Sequence, residues 1–279
     1  MLQINASIVV FHNNHDQLKK AINSILTSDF LMRLYLVDNS SNKEYEQFSA
    51  MDKRIVYISN GVNYGYGKAH NIAIRRTMSD NIPYHIVLNP DVYFKKGTIE
   101  KIYLFMEDNQ DVGLVMPKVL YPDGSLQYLC KLIPTPFDLF GRRFLRTGFL
   151  KRIIKDNDNR FELRFTGYDR LMNVPYLSGC FMFLRISALK EIGAFDERFF
   201  MYPEDIDLTR RIHEKYKTIY YPEVSIIHDH ARESYYNIKM LRIHIINMIR
   251  YFNKWGWIID KKRKTYNQRL LEELGYYKS

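Results

Sequence analysis

The chain has 279 residues, 46% apolar and 15% aromatic, which is enough to bury a sizeable core and excludes an extended disordered polypeptide. Two cysteines, Cys130 and Cys180, exclude a disulfide framework and a four-thiolate zinc site, and point to a reducing cytosol. The 41 Lys and Arg against 31 Asp and Glu give a net charge of +10, and no apolar run reaches the roughly 18 residues that span a bilayer.

The opening MLQINASIVVF has no basic leader and runs straight into strand-like sequence, so no secretion signal is expected. Strands are predicted at Ser7 to Phe11, Arg33 to Val37, Ile55 to Ile58 and His85 to Leu88. Helical spacing is read over Asp16 to Leu26, Lys43 to Met51 and Lys68 to Met78 between them. This alternation predicts three βαβ crossovers and a mostly parallel α/β sheet. Ligands of such sheets bind beyond the carboxyl ends of the strands, where this chain has His12-Asn13-Asn14, Asp38-Asn39-Ser40, Asn60-Gly61 and Asn89-Pro90-Asp91.

After a strand at Val112 to Met116 the rhythm changes, and Tyr121-Pro122-Asp123-Gly124 reads as a turn between short strands. Residues 131–173 have no clean period and are expected to form an insertion over the sheet that faces the acceptor. Strand sequence returns at Gly179 to Leu184, then a short helix at Ser187 to Glu191 and a longer one from Pro203 or Glu204 to about Lys215. A last strand is read at Val224 to Ile227 and a basic, apolar helix at Ile238 to Trp257.

Charge is uneven along the chain. Residues 231–279 hold eleven Lys and Arg against four Asp and Glu, and Arg142, Arg143, Arg146, Lys151, Arg152 and Lys155 form a second basic cluster. Such patches suit nucleic acid, an anionic membrane or a phosphorylated acceptor, and equally a solvated face.

Four segments could carry chemistry. Asn89-Pro90-Asp91 places a carboxylate at the ligand edge, where a hard cation bridging phosphates needs oxygen, although the tripeptide is also an ordinary turn. Asn60 to Gly67 opens a helix whose amino terminus favours phosphate, without matching the dinucleotide fingerprint, or is simply a loop with flexible glycines. Glu204 and Asp205 start a helix whose dipole favours their ionised forms, as a general base requires, or they are simply a charged helix start. His228-Asp229-His230 follows a strand and offers imidazoles to a metal, or is a surface pair.

The order of these signals resembles the inverting glycosyltransferases of family two, with the GT-A fold, over roughly residues 4 to 235. The matching stretches are Ser7 to Phe11, Leu36 to Ser40, Asn63 to Gly67, Leu88 to Asp91, Ser178 to Met182 and Phe200 to Leu208. The wording of Asn89-Pro90-Asp91 and of Phe200 to Leu208 is most similar to the rhamnosyltransferase branch that uses deoxythymidine diphosphate rhamnose.

That resemblance implies a Rossmann-like GT-A domain over 1–235 and a basic amphipathic helical extension over 236–279. It implies donor binding by Phe11, Asp38, Asn63, Gly65, Gly67, Asn71, Asn89 and Asp91, with Asp38 at the nucleoside. Asp91 and His228 would hold Mg²⁺ or Mn²⁺, Asp205 would be the general base, and Glu204 would orient its neighbours. Ser178, Gly179, Tyr202 and His230 would lie beside the acceptor or behind the site. Asn89 stands where the family's common metal motif has its first aspartate, removing one negative charge.

The implied donor is a nucleotide sugar and the implied acceptor a lipid-linked oligosaccharide of bacterial surface polysaccharide, O-antigen or capsule. The enzyme would then work in the cytoplasm on the inner face of an anionic membrane, with no nucleic-acid partner. Galactofuranose, galactose and N-acetylhexosamine donors stay open. So do a nucleotidyltransferase and, from the charge, a nucleic-acid-binding protein; a glycoside hydrolase fits poorly, since adjacent carboxylates do not oppose each other across a cleft.

Overall fold

The computed structural model describes residues 3–141, 157–229 and 238–276. Its core is a nine-stranded mixed sheet built from β1 (Ile4–Val10), β2 (Leu31–Asp38), β3 (Ile55–Ser59), β4 (Tyr84–Leu88), β5 (Val92–Phe94), β6 (Val112–Leu120), β8 (Met172–Asn173), β10 (Phe181–Arg185) and β11 (Lys217–His228). The strand order is β3-β2-β1-β4-β10-β6-β11-β5, with β8 pairing the outer part of β11. A separate two-stranded ribbon joins β7 (Cys130–Lys131) to β9 (Tyr176–Leu177).

The first four strands are mutually parallel, and the chain winds from β1 out to β3 before crossing back to β4 on the other side. The crevice between the carboxyl ends of β1 and β4 is therefore a topological switch point, where ligands of such sheets bind. β10 runs antiparallel between β4 and β6.

The crossovers are α1 (His15–Leu26), a 3₁₀ helix at Glu46–Met51, and α2 (Tyr66–Ser79). In α1, Leu18, Ala21, Ile22 and Ile25 are buried at helical spacing, and Asn14 caps the start by accepting from the N–H groups of Asp16 and Gln17. The α-helix expected over Lys43 to Met51 is instead a 3₁₀ turn. Tyr45, Phe48 and Met51 recur every three residues, which is the 3₁₀ period, and Lys43 has left-handed backbone (φ 53°).

Three further helices flank the sheet's second half: α3 (Thr98–Asp108), α4 (Ile186–Ile192) and α5 (Glu204–His213). Helix α3 was not expected, although Ile99, Ile102, Tyr103 and Met106 carry the i, i+3, i+4, i+7 pattern and are all buried. β11 is longer than the segment Val224 to Ile227, running twelve residues with a register shift between Tyr221 and Ser225.

Within 131–173, the described residues pack into the main core through Leu132, Phe161, Leu163, Tyr168 and Met172. The Arg142 to Lys155 cluster lies outside the described residues. The chain ends in α6 (Ile238–Trp255) and α7 (Lys261–Glu273). Leu270 and Leu271 of α7 join the main core, and Tyr251 and Phe252 of α6 form a second cluster with Phe199 and Ile206.

One polar network runs through the sheet. Ser7 on β1 bonds His70 of α2 (2.7 Å) and His85 of β4 (2.8 Å), and His85 reaches Thr77 at 2.8 Å. Burial pushes both imidazoles down, His85 to about 3.

Candidate active site

A cleft of about 550 Å³ opens over the carboxyl ends of β1 and β4. Its walls come from the ends of β1, β2 and β4, the loop before α2, the β9–β10 link, the start of α5 and the end of β11.

The wall at β2 and α2 is set by amides. Asn39 donates to Asn63 Oδ1 and to the Gly65 carbonyl, both at 3.2 Å, and accepts from Asn60 at 2.8 Å. Asn63 also accepts from the Gly65 N–H at 2.8 Å. Gly65 has φ +81°, and a Cβ there would stand 2.2 Å from the Phe200 carbonyl oxygen, so only glycine lets this loop touch the 195–202 segment.

Phe11, Asn63 and Gly65 line the cleft as expected of donor-side residues, but three others do not. Asp38 is fully buried, accepting from the Ser40 N–H (2.7 Å) and the Tyr57 hydroxyl (2.6 Å), and Asn39 faces the cleft in its place. Gly67 packs against Phe195, and Asn71 is buried with both ends of its amide bonded to the Phe195 backbone.

Asn89 and Asp91 line the cleft directly after β4. Asp91 is brought to His228 by sheet pairing, because β5 runs antiparallel to the end of β11 with Val92 opposite His228. Asp91 Oδ1 lies 3.4 Å from His228 Nε2. Gln127 fixes the ring from behind, with Oε1 3.0 Å from His228 Nδ1 and its amide donating to the His228 carbonyl at 2.7 Å. That leaves Nε2 turned to Asp91, the arrangement that aims an imidazole at a metal. Burial disfavours charge on His228, but Cys180 and Asp91 outweigh it and raise its pKa.

Among the described residues no three His, Cys, Asp or Glu side chains converge on one point. Asp91 and His228 are two donors, which fits a cation completed by diphosphate oxygens and water. The Asn89 amide oxygen is 2.9 Å from the Tyr66 hydroxyl, which also sits 2.7 Å from the Gly179 carbonyl.

Helix α5 delivers Glu204 and Asp205 to the opposite wall. Asp205 accepts from the Gly179 N–H (3.0 Å) and from the Ile206 N–H (2.7 Å). Burial raises its pKa to about 6, against the pull of those two N–H groups and of Lys131. Glu204 is 4% exposed, and burial followed by the charge of Asp205 pushes it well above the carboxylate range. The expectation that the helix dipole keeps both ionised is therefore corrected. Burial outweighs the dipole and shifts both toward the protonated form, Glu204 most strongly.

Tyr202 also lines the cleft, with left-handed backbone (φ 89°), a strained state for a bulky residue. Ser178 and Gly179 line it too, whereas His230 lies outside the described residues. Sequence reasoning missed Gln127, Lys131 and Tyr176; the first two carry no motif, and their positions follow from the β6–β7 loop and the ribbon.

A mostly parallel sheet whose switch-point cleft carries Asn89-Pro90-Asp91 on one wall and a helix-borne acid pair on the other is a GT-A fold. The chain belongs to glycosyl transferase family 2, whose family model matches residues 7–193, and so to the glycosyltransferase enzymes. It is 26% identical over 253 residues to the rhamnosyltransferase WbbL of Escherichia coli K12, covering 88% of this chain and 90% of that one. It is 28% identical over 219 residues to the N-acetylglucosaminyl-diphospho-decaprenol L-rhamnosyltransferase of Mycobacterium tuberculosis, covering 75% of this chain and 70% of that one. Identity to the low-salt glycan biosynthesis hexosyltransferase Agl10 of Haloferax volcanii is 28% over 212 residues, 76% of this chain, and the chain spans only 62% of that relative's length.

Among solved structures, GalNAc-T7 with UDP, GalNAc and Mn²⁺ matches with a TM-score of 0.63 at 13% identity, over 99% of this chain and 57% of that one. TarS 1-349 of S. aureus in complex with UDP matches with a TM-score of 0.56 at 13% identity, over 98% of this chain and 70% of that one. These likenesses establish the fold.

Proposed function

We propose that this protein transfers a sugar, with inversion, from a nucleotide diphosphate donor to a hydroxyl of a lipid-linked acceptor. L-rhamnose from dTDP-rhamnose is the best-supported donor. The observation that carries the reading is the single cleft faced by Asp205 on α5 and by the Asp91–His228 pair across it.

In this reading the donor's nucleoside lies toward the end of β2, with Asn39 and Asn63 at its edge and Asp38 bracing the loop beneath. The diphosphate lies by Asn89 and Asp91. Asp91 and His228 would hold Mg²⁺ or Mn²⁺, which supplies positive charge for the departing diphosphate. Asp205 takes the proton of the acceptor hydroxyl as its oxygen attacks the anomeric carbon and the bond to the diphosphate breaks. The Gly179 and Ile206 N–H groups hold that carboxylate's direction. Burial and the neighbouring Asp205 charge favour the protonated form of Glu204.

The rhamnose assignment is supported by the two relatives named as rhamnosyltransferases, and the lipid-linked acceptor by the mycobacterial relative's name. A divalent metal is supported by the fold neighbour that carries Mn²⁺. A role in O-antigen or capsule synthesis at the inner face of the cytoplasmic membrane follows from that acceptor class.

Nucleoside diphosphate release from a panel of nucleotide sugars, with Mg²⁺, Mn²⁺ or EDTA and a lipid-linked acceptor, tests the reading. Metal-dependent release from dTDP-rhamnose, lost in Asp91→Ala and Asp205→Asn, is expected. Release from another donor alone would replace rhamnose, and pyrophosphate release would indicate a nucleotidyltransferase.

A further inference from the structure

The link between α6 and α7 presents Ile258 and Ile259 at 89% and 82% exposure, the largest values among the exposed large apolar side chains. Trp257 beside them is exposed as well. This link is held firmly from behind. Buried Arg263 donates to the carbonyls of Trp257 (3.2 Å) and Ile258 (3.1 Å). Gly256 has φ +102°, and a Cβ there would stand 2.6 Å from the Ile259 carbonyl oxygen. Asp260 caps α7 through the Arg263 N–H and is locked to Arg210. The two isoleucines point outward from a braced turn.

The surroundings fix what covers them. Ile246 and Ile249 are exposed on α6 at helical spacing with exposed Arg242 and Arg250, and Lys261 and Lys264 are exposed just past the turn. From 238 to 264 the one acid is Asp260, whose side chain is 3% exposed and already paired. An apolar tip flanked by exposed lysines, with Asp260 and Glu214 already paired to Arg210 and Lys262, complements the interface of an anionic bilayer. A second copy would set lysine against lysine, and nucleic acid would leave the isoleucines in water.

We propose that the 256–264 turn docks on anionic lipid, with Trp257, Ile258 and Ile259 entering the interface and Lys261 and Lys264 meeting the headgroups. α6 also holds the cleft's rim, since Asn247 donates to the Met201 carbonyl (3.0 Å) and His244 packs edge-on against Tyr202. α6 therefore links the docked turn to the Met201–Tyr202 wall, so that a lipid-linked acceptor would lie within a helix length of the cleft. That consequence rests on the function proposed above, whereas the docking does not.

The test is flotation of the full chain with phosphatidylcholine vesicles, with and without phosphatidylglycerol, and Trp quenching by brominated acyl chains. Wild type should float only with phosphatidylglycerol, and Trp257→Phe should remove the quenching. I258D/I259D should weaken binding by about tenfold or more, and K261E/K264E by about fivefold for each charge. Thermal unfolding and sugar transfer to a water-soluble acceptor should be unchanged in both variants. Binding that ignores phosphatidylglycerol, or an I258D/I259D variant that floats like wild type, would overturn the proposal. So would dimers dissolved by I258D/I259D without any flotation, which would give the patch to a second copy. No sugar transfer by a protein that still floats would strike the transferase reading and leave the docking intact.

Discussion

Arg210 and Asp260 meet in a two-pronged ion pair, 2.7 Å on each arm, with side chains 1% and 3% exposed. The Arg210 guanidinium also lies over Trp255 at 3.9 Å. The pair ties α5, which carries the proposed base Asp205, to the α6–α7 turn. Asp260→Ala strands a buried cation and should cost about 3–5 kcal/mol of stability, read from the denaturant midpoint, while R210M/D260L should cost less. The single variant should also lose activity, because Asp205 rides on the helix that Arg210 anchors.

Asp205→Asn should lower kcat by about 10²- to 10⁴-fold and leave the donor Kd unchanged, as removal of a general base does. In wild type the base must be charged, and its pKa is raised to about 6. The rate should be flat above that pH and fall about tenfold per unit below it. A pH–rate profile with no break between pH 5 and 7 would remove Asp205 from the proton transfer.

Gln127→Leu should raise the Mn²⁺ concentration for half-maximal activity by about 10- to 100-fold, since it frees the ring that Asp91 faces. In the proposed metal site His228 must lose its proton to ligate, so the same constant should fall as pH rises. Unchanged Mn²⁺ dependence in this variant would place the cation elsewhere.

His70 and His85 contribute to the loss of stability in acid. Burial depresses both folded pKa values below the unfolded value, so their stabilisation is complete above about pH 6.5 and is lost as pH falls toward the folded values. Each steepens the loss by about 1.4 kcal/mol per pH unit in that window. His85→Gln should flatten the pH slope of the unfolding free energy by close to one proton.

The residues that the sequence itself placed best follow strands. β1 to β4 are short, largely apolar runs, and the segments after β1 and β4, with the acid pair starting α5, do converge on the cleft. Side-chain direction was not legible. Asp38 and Gly67 sit in motif stretches and Asn71 just past one, yet each faces a neighbour that only the tertiary fold supplies, Tyr57 for the first and Phe195 for the others. Charge state was not legible either, because the burial of Glu204 depends on packing around Tyr66 and α5. Helix α3 was legible from its period. Gln127 was not, since one amide in an aperiodic loop carries no pattern.

The pairing of Val92 with His228 also sets an order of assembly. β5 has three residues and makes its ladder with β11, the last strand of the sheet. A growing chain can wind β1 to β4 early, but the Gly65 loop meets Phe200, and Asp91 faces His228, only once the later segments have been made and docked. Both walls of the cleft are therefore completed only by the later half of the chain.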